Sequence, residues 1–156
     1  KRSRAKITDY VSALSNLTPP EFESMCAQVL HHMGVKDPVA TRYSGDEGID
    51  FFGRLRLDAH VLRTYKFPGV EKQLKVWMIG QAKQHTSGRV STPEIRDLVG
   101  AVELAIGGAY GSAVSPYPDL RLRVCDPIFY LFFTTGQISS NSWRLLERSG
   151  VIAMDG

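Results

Sequence analysis

The run Lys75-Val-Trp-Met-Ile-Gly-Gln-Ala-Lys83 constrains this chain more than any other stretch. It is apolar without alternation until its last residues, and a strand apolar on both faces has to be covered on both faces. It therefore belongs in the middle of a sheet with helices above and below. Ile128 to Phe133 is a second run of the same kind, bounded by Pro127 and by Thr134-Thr-Gly136. Together they predict an α/β domain, and 156 residues are enough for one such domain with a substantial core.

The remaining elements follow from local signals. Ile7, Tyr10, Val11 and Leu14 recur at helical spacing and predict a short leading helix. Thr18-Pro-Pro-Glu21 reads as a capping box with prolines in the first turn. Leu17 and Phe22 occupy staple positions, and Phe22, Met25, Cys26, Val29, Leu30 and Met33 form the apolar stripe of the helix that follows. Gly34 is its expected stop. Strands are expected over Pro38–Tyr43 and Ile49–Leu57, joined by the turn Gly45-Asp-Glu-Gly48, with an added strand at His60–Tyr65. Ser91-x-Pro93-Glu94 opens a helix whose core face is Ile95, Leu98, Val99, Val102 and Ala105. Gly107–Asp126 is rich in Gly, Pro and Ser and reads as an irregular linker, followed by the Ile128 strand, a helix over Ser140–Arg148 and a closing strand over Val151–Met154.

Three polar residues interrupt this apolar framework. Asp50 stands among Ile49, Phe51 and Phe52, where an unpartnered carboxylate is costly. Gln81 and Lys83 end the central strand and, two residues apart, point to the same face. A carboxylate, a side-chain amide and a backbone carbonyl are the oxygen ligands a hard divalent cation takes. An adjacent ammonium can orient a water and offset negative charge developing on a phosphate. Metal-dependent phosphodiester cleavage is the chemistry this pattern suits, with Asp50, Gln81 and the Ala82 carbonyl on the metal and Lys83 on the water.

Gly-Asp-Glu-Gly-Ile-Asp50 followed by Ile-Gly-Gln-Ala-Lys83 resembles the catalytic core of the Mrr-like restriction endonucleases, a branch of the PD-(D/E)xK nucleases with Gln in place of the usual acid. The resemblance runs from about Leu17 to the C-terminus. It implies a restriction-endonuclease-like core, α/β with a central mixed β-sheet flanked by α-helices, over residues 17–156. Residues 1–16 are then a leading helix or linker remnant, and about 54–75 a basic insertion. It further implies Mg²⁺ as cofactor with Mn²⁺ able to substitute, DNA as substrate, and a place in restriction or phage defence. In the resembling family a Phe-Glu pair supplies a glutamate to the site. Glu23 is the matching position, on the metal directly or through water, its other reading being a solvent-facing helix residue. Asp46 matches the family's turn acid. Arg96 and the Gly100-Ala101 pair match the helix after the motif, where small residues allow close packing and Arg96 reaches either a phosphate or a surface carboxylate.

The net charge of +3 is modest, but its distribution is not even. Lys1–Lys6 holds four basic residues and no acid, and Arg54–Lys75 holds six against two, which leaves the rest net acidic. Localised basic surface suits a phosphate backbone, although a solvated face reads the same way. Arg54, Arg56, Gln84, Arg89 and Arg96 are the expected DNA contacts. Two cysteines, Cys26 and Cys125, make no disulfide framework and fit reduced, buried thiols of a cytoplasmic protein. No apolar run is long enough to span a bilayer, no His/Cys spacing resembles a zinc site, and no Gly-rich nucleotide loop or Ser/His/Asp set is present. His31 and His32 suit the helix dipole or solvent better than a metal. Thr134, Thr135 and Gln137 suit a turn and cap better than a phosphate site. The chain opens without an initiator Met, as a piece of a larger defence protein would, and a homodimer would supply the second site that two-strand cleavage needs. The competing readings are a non-catalytic nucleic-acid-binding or effector-interaction module that keeps the fold, and a nuclease of repair or junction processing.

Overall fold

A computed structural model describes residues 7–41, 48–55, 73–85, 88–111 and 114–156. Helices α1 (Ile7–Ser15) and α2 (Pro19–His32) lead into strands β1 (Val35–Ala40), β2 (Phe51–Leu55), β3 (Val76–Lys83) and β4 (Arg89–Val90). Helix α3 (Thr92–Ile106), strands β5 (Ile128–Thr134) and β6 (Gln137–Ile138), helix α4 (Ser140–Ser149) and strand β7 (Ile152–Met154) complete the chain.

The main sheet has the order β1-β2-β3-β5-β7, with the β1–β2 and β2–β3 pairs antiparallel and the β3–β5 and β5–β7 pairs parallel. It is the mixed sheet that the two apolar runs imply, and those runs are the adjacent strands β3 and β5. Parallel neighbours need a crossover, and α3 and α4 supply the two. The first six residues of β3 are all buried. One face packs on α2 through Phe22, Cys26, Leu30, Phe51, Met78 and Leu131, and the other packs on α3 and α4 through Phe52, Ile79, Leu98, Val102, Phe132 and Leu146.

Both N-terminal caps form as their sequences suggest. The Thr18 N–H and hydroxyl donate to Glu21 Oε2 at 2.8 and 2.7 Å, and those of Ser91 to Glu94 Oε2 at 2.7 and 2.8 Å. Gly34 follows α2 at φ +96°, the left-handed conformation that ends a helix. Met33 is an exception to the apolar stripe, since it is exposed.

Other elements depart from expectation. β1 starts at Val35, ahead of the expected Pro38, and carries a bulge. Lys36 pairs with Arg54 and Val39 with Phe52, so Asp37 (φ +49°) and Pro38 together face Gly53. Pro38 is tolerated because β1 is an edge strand. A side chain at Gly53 would meet Val35 Cγ1, so the tight crossing of these strands demands a glycine. The short pair β4 and β6 was not anticipated. The segment from Gly107 to Asp126 has no helix or strand among its described residues, yet it is more than a linker. Tyr117 and Leu120 are buried in the core. Asp126, also buried, accepts from Trp77 Nε1 at 3.2 Å and from Arg123 Nε at 2.7 Å. Burial pushes the Asp126 carboxyl up, but the Arg123 and Trp77 hydrogen bonds outweigh it and hold the group below its ordinary value. Cys26 is buried as expected and Cys125 is exposed; both thiols are free. The strand expected at His60–Tyr65, the acids Asp46 and Glu47, and Lys1–Lys6 lie outside the described residues.

Gly80 fixes how closely α2's face of the sheet packs. A Cβ there would lie 2.3 Å from Phe51 Cζ and 2.9 Å from Leu131 O. The Phe51 ring has little room to yield, because it is fully buried and stacks on Phe133 at 5.2 Å. Gly80→Ala is therefore expected to lose about 1–3 kcal/mol by overpacking. Urea unfolding would show this as a lower midpoint at unchanged slope, and an unchanged midpoint would refute it.

Candidate active site

The carboxyl end of β3 is set by the way β2 departs from it. Their register ends at Phe51 opposite Gly80, where the Asp50 N–H donates to Gly80 O at 3.0 Å. A continuing ladder would give the Ala82 N–H to a backbone carbonyl. Here Asp50 Oδ2 takes it instead, at 2.8 Å. The N–H and C=O of a strand residue project toward the same neighbour, so the Ala82 carbonyl opens into the gap that holds the Asp50 carboxylate. Thr41 holds Asp50 from the other side. Its N–H donates to Asp50 O at 2.8 Å, and its hydroxyl reaches Ile49 O and Asp50 O at 2.9 and 3.1 Å. Thr41 has no sequence signal for this role beyond being a hydroxyl at a strand end, because its partners lie across the intervening loop.

Gln81 and Lys83 share a face as their spacing requires, and both line an open cleft of ≈520 Å³ between the sheet and α3. Gln81 is only 3% exposed, and its Oε1 has no hydrogen-bond partner among the described residues. A bare buried oxygen of this kind costs about 1–3 kcal/mol, and a ligand supplied from outside the chain would remove that penalty. Gly48 closes over the amide. At φ +74°, its Cβ position lies 3.8 Å from Gln81 Nε2 and only 2.8 Å from Ala101 Cβ, so any side chain there would be both strained and obstructed. Ala101 is thus the small residue that makes the close approach, while Gly100 meets nothing within 4 Å.

Glu23 lies half-buried on α2. Burial raises its carboxyl above the ordinary value, the negative charge of Asp50 raises it further, and Lys83 opposes both. These three groups therefore sense one another's fields across the end of the sheet. Burial, then the charges of Asp50 and Glu23, push the Cys26 thiol up to about 12, which keeps it inert.

The donors at this end are two carboxylates, an amide oxygen and a backbone carbonyl. No group of three His, Cys, Asp or Glu side chains suited to a metal occurs among the described residues. The set, made of oxygen donors, fits a hard cation, which accepts amide and carbonyl oxygens. The bare Gln81 Oε1 supports that fit.

The other anticipated residues are more dispersed. Gln84 donates to Leu17 O at 2.5 Å, which ties the end of β3 to the start of α2. His85, not singled out by sequence, has Nε2 2.9 Å from Glu94 Oε1, and its N–H donates to Thr135 Oγ1 at 2.9 Å. Burial raises the Glu94 carboxyl, but hydrogen bonds from the Ser91 backbone and hydroxyl, with His85, bring it below its ordinary value. The loop leaving β3 is thereby pinned to α3 and β5. Arg54 and Arg89 are exposed on β2 and β4, Arg96 is exposed beside the cleft, and Arg56 lies outside the described residues. Thr134 Oγ1 accepts from the Gly136 N–H at 3.0 Å, and the Ser139 hydroxyl caps α4, both plain turn-and-cap roles.

A family model described as a restriction endonuclease, the Mrr catalytic domain, matches residues 14–114. No curated protein matches the chain. Two solved structures share its fold. MspJI restriction endonuclease in complex with a 27-mer oligonucleotide aligns at 17% identity and a TM-score of 0.56, over 98% of this chain and 30% of that one. The DNA modification-dependent restriction endonuclease AspBHI aligns at 18% identity and a TM-score of 0.55, over 97% of this chain and 33% of that one. The chain thus spans about a third of the length of either structure.

The raised Glu23 carboxyl has a signed consequence. A folded state that holds this proton more tightly than the unfolded chain loses stability as pH rises from the ordinary value of 4.5 through the raised one. Glu23→Gln removes that loss. Without added metal it is expected to melt above wild type at pH 7 and level with it near pH 3. Equal melting temperatures at pH 7 would show that burial and the nearby Asp50 charge do not destabilise the Glu23 carboxylate.

Proposed function

The chain belongs to the Mrr-type restriction endonuclease family, and we propose that it is a Mg²⁺-dependent endodeoxyribonuclease, with Mn²⁺ able to substitute. One observation carries this reading. The bare, buried Gln81 Oε1 belongs to the residue before Ala82, whose N–H is held by the Asp50 carboxylate. Asp50, Gln81 and the Ala82 carbonyl would hold the cation, with Glu23 joining directly or through water. When bound, such a cation polarises the phosphate and acidifies a ligated water.

The chain's own groups supply the rest. The Lys83 ammonium orients the attacking water and offsets charge developing on the phosphate oxygens. The neutral Gln81 leaves the site less negative than an all-carboxylate set, so metal binding is expected to be weak until a phosphate adds its oxygens. Arg54, Arg56, Gln84, Arg89 and Arg96 are assigned to the DNA backbone. The nuclease domain is assigned to residues 17–156, with 1–16 as a leading helix or linker. The oligonucleotide bound by one neighbour and the DNA-modification dependence of the other support DNA as the substrate. Because the chain is about a third of their length, target recognition is assigned to further domains of a larger protein of cytoplasmic phage defence, acting as a homodimer.

Supercoiled plasmid tests the proposal. With Mg²⁺ or Mn²⁺ wild type is expected to nick or linearise it, and EDTA to stop the reaction. Asp50→Ala and Lys83→Ala are expected to lose activity by about 10²-fold or more, the scale of removing one group that stabilises the transition state. If wild type matches both variants in every condition, the catalytic assignment is wrong.

A further inference from the structure

The cleft beside Gln81 and Lys83 holds more than a phosphodiester needs. Along α3, Arg96, Gly100 and Leu104 recur every fourth residue and all line it, a length of about 12 Å at the helical rise. Its chemistry changes over that length. Near the sheet end are cations, Lys83 and Arg96. Further along lie Leu104, 58% exposed, and the half-buried ring of Tyr110, held edge-on to Tyr117 at 6.0 Å. Tyr110 is fixed from below, its hydroxyl donating to Ala105 O at 3.4 Å.

Gly100 is the feature that packing does not explain. It sits inside α3, where glycine is about 1 kcal/mol worse than alanine. Among the described residues nothing beyond its own helix turn lies within 4 Å of where its Cβ would be, so none of them requires the glycine. The space it leaves open belongs to the cleft, and glycine is the residue that lets a ligand approach backbone closely. Asp97, on the same lip, suits the amino group of a base and disfavours a second phosphate.

We propose that this cleft seats one unpaired nucleotide next to the scissile phosphate, its base over Gly100 against Leu104 and Tyr110, so that the substrate is DNA locally opened from the duplex. This rests on the nuclease reading above. The size agrees: ≈520 Å³ is in the range of pockets that hold a small organic ligand. So does the lining, since aromatic surface beside cations is how unpaired bases are held regardless of sequence.

The test is fluorescence anisotropy with Ca²⁺ replacing Mg²⁺, using a short labelled duplex and the same duplex with one bulged nucleotide. Wild type is expected to bind the bulged duplex about tenfold more tightly, the scale of one base stacked on a side chain. Gly100→Leu, which fills the cleft while favouring the helix, is expected to bring that ratio near one at an undiminished melting temperature. Tyr110→Ala is expected to lower it in the same direction. Perfect-duplex binding should persist in both variants, whereas plasmid nicking, which needs the opened nucleotide seated beside the scissile phosphate, should fall. A wild-type ratio near one, or an unchanged ratio in Gly100→Leu, overturns the proposal. Absence of plasmid nicking in wild type with the binding ratio intact counts instead against the nuclease reading.

Discussion

The hydrogen bond from the Ala82 N–H to the Asp50 carboxylate is the contact on which the rest of the site depends. It ends the β2–β3 ladder without leaving a backbone donor bare, and it does so with a charged group. Substituting a carboxylate for a carbonyl at that rung opens a gap between two buried strands that would otherwise be sealed. The Ala82 carbonyl is then left facing the gap. Thr41 keeps the arrangement from relaxing by binding the Asp50 and Ile49 carbonyls across the loop. The departure of β2 is thus anchored on both sides.

The sheet makes this arrangement rigid. β3 is buried on both faces, so its position is set by two cores at once, and Gly80 and Gly53 let neighbouring side chains close over the strands where a Cβ would collide. Residues 82 and 83 are the first part of β3 to emerge from that double burial, directly after the buried Gln81. Side chains there inherit a well-fixed backbone but reach a partly open end of the sheet, a combination that favours a preorganised polar site.

Much of this was legible from sequence because the signals are local. The capping boxes of Thr18 with Glu21 and Ser91 with Glu94 are four-residue patterns, and both form. The apolar runs of β3 and β5 needed only their own composition. The bulge at Asp37 and Pro38, the β4–β6 pair, the packing of Tyr117 and the Asp126–Trp77 bond were not legible, since each depends on partners distant in sequence or on a backbone conformation with no strong residue preference. The site was readable as a set of residue types. What sequence could not supply was that Gln81 is buried with its oxygen bare, that His85 pairs with Glu94, or that the field of Asp50 reaches Glu23.

The raised Glu23 carboxyl and the bare Gln81 oxygen have a common cause. Each is an acceptor placed where its surroundings hold it poorly: burial and then Asp50 raise the Glu23 carboxyl, and Gln81 Oε1 finds no donor among the described residues. Lys83 lowers the Glu23 carboxyl but does not overcome burial and Asp50. A fully carboxylate ligand set would deepen this repulsion and further destabilise the metal-free fold. Under the proposed assignment, an amide at position 81 would keep an oxygen for a metal without adding a third negative charge. The price is a weaker hold on the cation, and a phosphate brought by the substrate would restore the missing charge and oxygens. Under the proposed function the glutamine would adjust the balance between stability of the free protein and metal affinity, and would tie full assembly of the site to the arrival of DNA.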